Sequence, residues 1–189
     1  MLKILKFFYP LVTALYLWWS RRYRWLFLYS YASIPVPRYK EPQEVLELTQ
    51  KVKWRKDGFL QLYDVVGTAQ RFQFILNELQ SGGVQPDLAC DCDDFAAYCC
   101  EALHPHYHPH MFLVAYRKPS GLGGHAVCTF TYKSVNGADL YHIGNWGMVG
   151  PFSTYRALAE GIAKTVGAEL IGYTTANYDL TEYTVTKAI

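Results

Sequence analysis

Between Leu103 and Met111 the apolar pattern of this chain changes its period, and no other feature restricts the fold as much. Upstream, apolar residues recur every three to four positions, the spacing of one helix face. Pro42 to Trp54 carries Val45, Leu46, Leu48 and Val52 in that pattern. Thr68 to Leu79 carries Phe72, Ile75, Leu76 and Leu79, and Ser81-Gly82-Gly83 stops it. Cys92 to Leu103 carries Phe95, Ala96, Cys99 and Leu103. Downstream, the pattern predicts strands over Met111–Tyr116, His125–Tyr132 and Leu140–Ile143. Lys118 to Gly123 reads as a loop and Asn136-Gly137 as a hairpin turn. Phe152 to Val166 reads as a helix, and Glu169–Thr174 and Glu182–Thr186 as closing strands. Helices first and an antiparallel sheet later make an α+β fold.

Residues 1–36 stand apart from this plan and read as an apolar, basic, helical leader with a proline linker; residues 37–189 form the domain proper. Phe7 to Trp19 is thirteen residues without a charge. Arg21, Arg22 and Arg24 follow, and then a second apolar run from Trp25 to Tyr31. Thirteen helical residues reach roughly 20 Å, against roughly 30 Å for a hydrocarbon core, and three arginines forbid one continuous span. Three readings stay open for residues 1–31: a helix at a membrane interface, a helix on a protein partner, and a secretory signal. Aromatic and basic residues together favour the interface. Arginines where a cleavage site belongs disfavour the signal. Ile34-Pro35-Val36-Pro37 is an extended linker, because each proline biases its predecessor away from helix.

Net charge is +2, which gives no reason to invoke nucleic acid. Charged residues are 18% of the chain and aromatics 16%, a composition for a packed domain with one face on a membrane or a large partner. Four of the five cysteines, Cys90, Cys92, Cys99 and Cys100, fall within eleven residues, with Cys128 apart. A secreted disulfide scaffold spaces its cysteines and pairs them, so a reducing compartment fits better.

The chemistry concentrates at three places in a fixed order. Asp91-Cys92-Asp93-Asp94 opens a helix, Gly123-Gly124-His125 opens a strand, and Gly144-Asn145-Trp146 follows the next strand. A thiol enzyme needs a sulfur that attacks, an imidazole that takes and returns the proton, and a side chain that holds the ring. Cys92, His125 and Asn145 supply these in turn. A helix N-terminus lowers a thiol's pKa. Asp93 and Asp94 suit the helix dipole but oppose a thiolate, so they must point away, to backbone amides or a nearby base. Trp146 would shield the His125–Asn145 bond from water. An oxyanion requires donors; the backbone N–H of Cys92 is one and the side chain of Gln85 a second.

These residues resemble the transglutaminase-like branch of papain-fold cysteine peptidases. Cys92-Asp93-Asp94-Phe95-Ala96 is similar to that family's nucleophile motif, Gly124-His125-Ala126-Val127 to its histidine strand, and Ile143-Gly144-Asn145-Trp146-Gly147 to its third motif. The resemblance covers residues 40–150. Cys90 stands where a glycine is common, and Asn145 where that branch often has aspartate. It implies a papain-like core, hydrolysis or acyl transfer at an amide of a peptide, protein or peptidoglycan, and no cofactor. A small enzyme of this kind with such a leader fits a bacterial or phage source and a membrane- or virion-associated place.

Two other readings compete. An NlpC-type peptidoglycan peptidase would use Cys92, His125 and a second histidine, and His142 sits about where that one falls; Asp93-Asp94 argues against it. A non-catalytic, membrane-docked scaffold would keep the fold alone. His104, His106, His108 and His110 alternate with Pro105, Tyr107 and Pro109, but their spacing matches no standard zinc pattern. They read as a partly exposed connection, and no metal is expected.

Overall fold

The structure is a computed structural model that describes residues 2–27, 29–55, 67–88, 90–134, 137–144 and 147–188. In chain order its elements are α1 (Leu2–Phe27), α2 (Pro42–Thr49), α3 (Ala69–Gln80), α4 (Cys92–Leu103), β1 (His110–Lys118), β2 (Gly121–Ser134), β3 (Gly137–Gly144), β4 (Gly147–Phe152), α5 (Tyr155–Thr165), β5 (Glu169–Ala176) and β6 (Tyr183–Lys187). All strand pairs are antiparallel, in the order β4-β3-β2-β1-β5-β6. The α+β class expected from the period change is the class found.

Local chemistry places most of the helix starts. Thr68 accepts from the Arg71 N–H at 3.3 Å to open α3, and Thr154 accepts from the Ala157 N–H at 3.1 Å to open α5. Pro42 at the first turn of α2 loses no helical donor. Alternation along the strands then divides the core. Met111, Ala126, Cys128, Phe130 and Ile143 pack with Phe72, Leu76 and Tyr98 on the side of α3 and α4. Phe112, Val114 and Val127 pack with Leu158 and Ile162 of α5 on the other side. The sheet is thus covered on both faces.

Four expectations change. Helix α2 ends at Thr49, not Trp54. Beyond it, Arg55 pairs with Cys90 through two backbone bonds of 2.8 Å, and that long-range bridge straightens the chain. The stretch read as the loop Lys118–Gly123 is a tight hairpin, with β2 starting at Gly121. Its glycines make room: a Cβ on Gly123 would lie 2.5 Å from the Tyr116 ring. Gly147–Phe152 forms β4, an unexpected strand. Two glycines and a proline hid it, and such residues are tolerated because β4 is a sheet edge. Asn136, half of the expected turn, lies outside the described residues; Gly137 pairs with Ser134.

The fourth change concerns the leader. Leu2–Phe27 is one helix that runs through Arg21, Arg22 and Arg24. It lies against β5 and β6. Tyr9 shares a 3.0 Å hydrogen bond with Thr174, Leu17 belongs to the main core, and Ser20 is fully buried. The proline linker is tied down as well, by the Tyr39 N–H bonded to the Ala102 carbonyl at 2.8 Å and by the Arg38–Glu101 ion pair. Residues 2–27 are therefore part of the packed domain. Among the described residues no helix is long and apolar enough to cross a membrane.

Candidate active site

Cys92 is the first residue of α4, and Asp91 is its N-cap. The Asp94 carboxylate accepts from the Asp91 N–H at 3.2 Å, closing a capping box that fixes the helix start. The sulfur therefore sits where backbone N–H groups and the helix dipole favour negative charge. Of the five thiols, Cys92 alone is partly exposed; Cys90, Cys99, Cys100 and Cys128 are buried. Burial pushes the Cys90, Cys99 and Cys128 thiols well above the usual range, so these stay protonated.

Cys92 lies in the wall of a cavity of about 730 Å³. Its other walls come from α1 through Phe8, Val12 and Tyr16, from Trp54, and from the β1–β2 hairpin, including Tyr116 and His125. His125 pairs with Val114 and is buried. Strand alternation sets its ring on the α5 side of the sheet with Val127, whereas Cys92 packs with the α4-side core. Both line the same cavity, and Asp91, the neighbour of Cys92, is close enough to act on the charge of His125. Nε2 of His125 faces Gly144, where an added Cβ would lie 3.7 Å away.

Burial, with a smaller effect of His142, lowers the His125 pKa to about 4 against the opposing pull of Asp91. At neutral pH the imidazole is neutral and can accept a proton. Burial alone lowers His142 to about 4. Its ring stacks on Phe152 at 5.9 Å, and its Nδ1 is buried with no hydrogen-bond partner among the described residues. Asn145 and Trp146, the expected orienter and shield, lie outside the described residues.

Asp93 and Asp94 meet basic groups, although an Asp93 oxygen also stays within 4.8 Å of the Cys92 sulfur, against the expectation that both acids point away from it. Both are buried. Arg71 lies 3.9 Å from the Asp94 carboxylate. Arg24, from α1, donates to the Tyr178 carbonyl at 2.7 Å and to the Gly67 carbonyl. Burial pulls its guanidinium down to about 10, and the charges of Asp93 and Asp94 act to hold it protonated. Gly67 is a close-approach position: a Cβ there would sit 1.5 Å from an Asp94 oxygen. One ligand atom each from Asp91, Cys92 and Asp93 lies within 4.8 Å of the others. The capping box and the field of Arg24 already account for this acidic cluster.

Gln85 has a different employment from the one expected. Its Oε1 accepts from the Lys53 N–H at 2.7 Å, and its Nε2 donates to the Lys53 carbonyl at 2.9 Å. It clasps the segment after α2 to the approach to Cys92, and it is not in the cavity wall. Gln85→Ala should lower stability by about 1–3 kcal/mol, because it leaves two backbone groups unmade. It should leave the labelling rate of Cys92 unchanged. Thermal melts and thiol mapping on the same sample would separate the two roles; a stable variant with an impaired thiol would restore the oxyanion role.

Sequence reasoning did not single out Tyr116 and Trp54. The Tyr116 hydroxyl donates to the Gly124 carbonyl at 3.1 Å, and its pKa is raised by burial and then by the proximity of Cys92. Both look like ordinary packing residues in the sequence, and only the folding of the hairpin and the Arg55–Cys90 bridge brings them to the cavity. The histidine run is a partly exposed connection, as expected; His106, His108 and His110 line a second cavity of about 290 Å³. No family model, curated protein or solved structure matches this chain.

Proposed function

We propose that this chain is a thiol-dependent enzyme acting at an amide bond, by hydrolysis or acyl transfer, on a papain-like core of the transglutaminase-like type. One observation carries the reading: the single partly exposed thiol stands at a helix N-terminus, in the wall of a cavity that also reaches His125. Cys92 is the nucleophile and His125 the base. The neutral imidazole takes the thiol proton as sulfur attacks the substrate carbonyl. Charge builds on the carbonyl oxygen, and the Cys92 N–H at the helix start is a donor for it. The intermediate collapses as the imidazolium returns its proton to the leaving amine. Water or a second amine then releases the acyl group from the sulfur. Asn145 orients the ring in this reading.

A second reading gives the orienting role to His142, as in NlpC-type peptidases. It is favoured by the closeness of His142 to His125 and by its own unpartnered buried Nδ1. Separate Asn145→Ala and His142→Gln variants distinguish the two by which one slows acylation of Cys92.

The test is alkylation of the full chain with iodoacetamide at neutral pH, read by peptide mapping. Cys92 should label at least about ten-fold faster than Cys99 or Cys128. His125→Ala should slow acylation of Cys92 by an amide-directed probe by about 100-fold, the usual scale for a general base. Equal, slow labelling of all five thiols, or a His125→Ala variant as fast as the parent, would remove the proposal.

A further inference from the structure

The side of α1 that faces away from the domain is apolar. Tyr9, Thr13, Leu17, Ser20 and Arg24, three or four residues apart, hold the inner side against the sheet and the site. On the outer side Ile4, Phe7, Leu11, Leu15 and Trp18 recur at the same spacing and are 58–69% exposed. Phe8, Val12 and Trp19 widen this stripe. A folded chain does not leave a contiguous apolar face of this length to water without a use for it.

Charge decides what covers it. Helix α1 contains no acidic residue. Lys3 and Lys6 lie at one end of the stripe, joined by Lys187, whose ammonium is 5.5 Å from the Phe7 ring centre. Arg21 and Arg22 are exposed at the other end. A second copy laid on this face, parallel or antiparallel, would oppose basic ends to basic ends. Trp18 and Trp19 are adjacent, with ring centres 6.5 Å apart, and such rings suit the headgroup level of a bilayer. Apolar stripe, basic ends and paired tryptophans match an anionic lipid surface.

We infer that the outer face of α1 seats this protein on an anionic bilayer, lying in the interface without crossing it. The contact is built into the domain, because the same helix carries Arg24 to Asp93 and Asp94. Phe8 and Val12 belong both to the exposed face and to the wall of the Cys92 cavity, so the cavity mouth adjoins the lipid.

The experiment is cosedimentation of the full chain with vesicles of phosphatidylcholine alone or mixed with phosphatidylserine. Binding should require phosphatidylserine, weaken as salt rises, and blue-shift the tryptophan emission. Arg21→Gln with Arg22→Gln should bind about thirty-fold more weakly. Leu11→Asp with Leu15→Asp should weaken binding about a hundred-fold or more while keeping the parent's melting temperature, since both positions are exposed. Three results would overturn the inference: no sedimentation with phosphatidylserine vesicles, undiminished binding by the folded Leu11/Leu15 variant, or a lipid-free dimer that this variant dissociates. The last would assign the face to a second copy.

Discussion

Replacing Arg24 with methionine should destabilise the chain by about 3–5 kcal/mol, the scale for removing one partner of a buried charge pair. Methionine keeps the aliphatic stem and its packing but removes the charge and the fork of donors. Asp93 and Asp94, each 3% exposed, would keep Arg71 at 3.9 Å from Asp94 but lose the field of Arg24. The Tyr178 and Gly67 carbonyls would lose a charged donor. Arg24→Lys should fall between parent and Met, because it restores the charge but not two donors in one plane. Urea midpoints of the three proteins measure this. A Met variant within 1 kcal/mol of the parent would mean that α1 is an appendage and that the acids beside Cys92 are held by other groups. The same reasoning predicts that deleting residues 1–31 unfolds the domain rather than releasing it intact from a surface.

Acidification from pH 6.5 to pH 4 should cost stability through two histidines. His125 and His142 each have a folded pKa of about 4, and burial is the main cause in both. An unfolded histidine titrates near 6.5. Between the two values the unfolded chain binds protons that the folded chain refuses, so stability rises with pH across that window. The contribution is complete above the unfolded value and is lost as pH falls through the folded one. A fall from about 6.5 to about 4 is worth about 3 kcal/mol for each histidine taken singly. His142→Gln removes one proton-binding site from the unfolded chain and one repulsion from His125. Its stability should therefore fall less steeply between pH 6.5 and pH 4 than the parent's. Denaturation midpoints at several pH values for the two proteins give the slopes. Equal slopes would show that His142 is protonated as readily folded as unfolded, and that its position against Phe152 is not a buried one.

Much of the fold was legible because its signals are local. Thr68, Asp91 and the apolar spacing after each set α3 and α4 within a residue, since a cap and a helix face are decided by neighbours in the chain. The period change at Leu103–Met111 set the α+β class for the same reason. The placing of Cys92 at a helix start and His125 on a strand also followed from local pattern.

What only the tertiary structure decided involves partners far apart in sequence. Helix α2 stops early because Arg55 pairs with Cys90, and Gln85 is occupied by Lys53 rather than by the cavity. Strand β4 exists because β3 offers it an edge, against its own glycines and proline. Sequence alone showed that residues 1–31 are apolar and basic; it did not show which side would face inward. That depended on Tyr9 bonding Thr174, 165 positions away, and on Arg24 lying in the field of the acids of α4. A helix face is written in the order of its residues, but the surface it meets is not. The polar anchors of α1 and Leu17 found partners within the domain, and the apolar stripe on the other side of the helix was left outside.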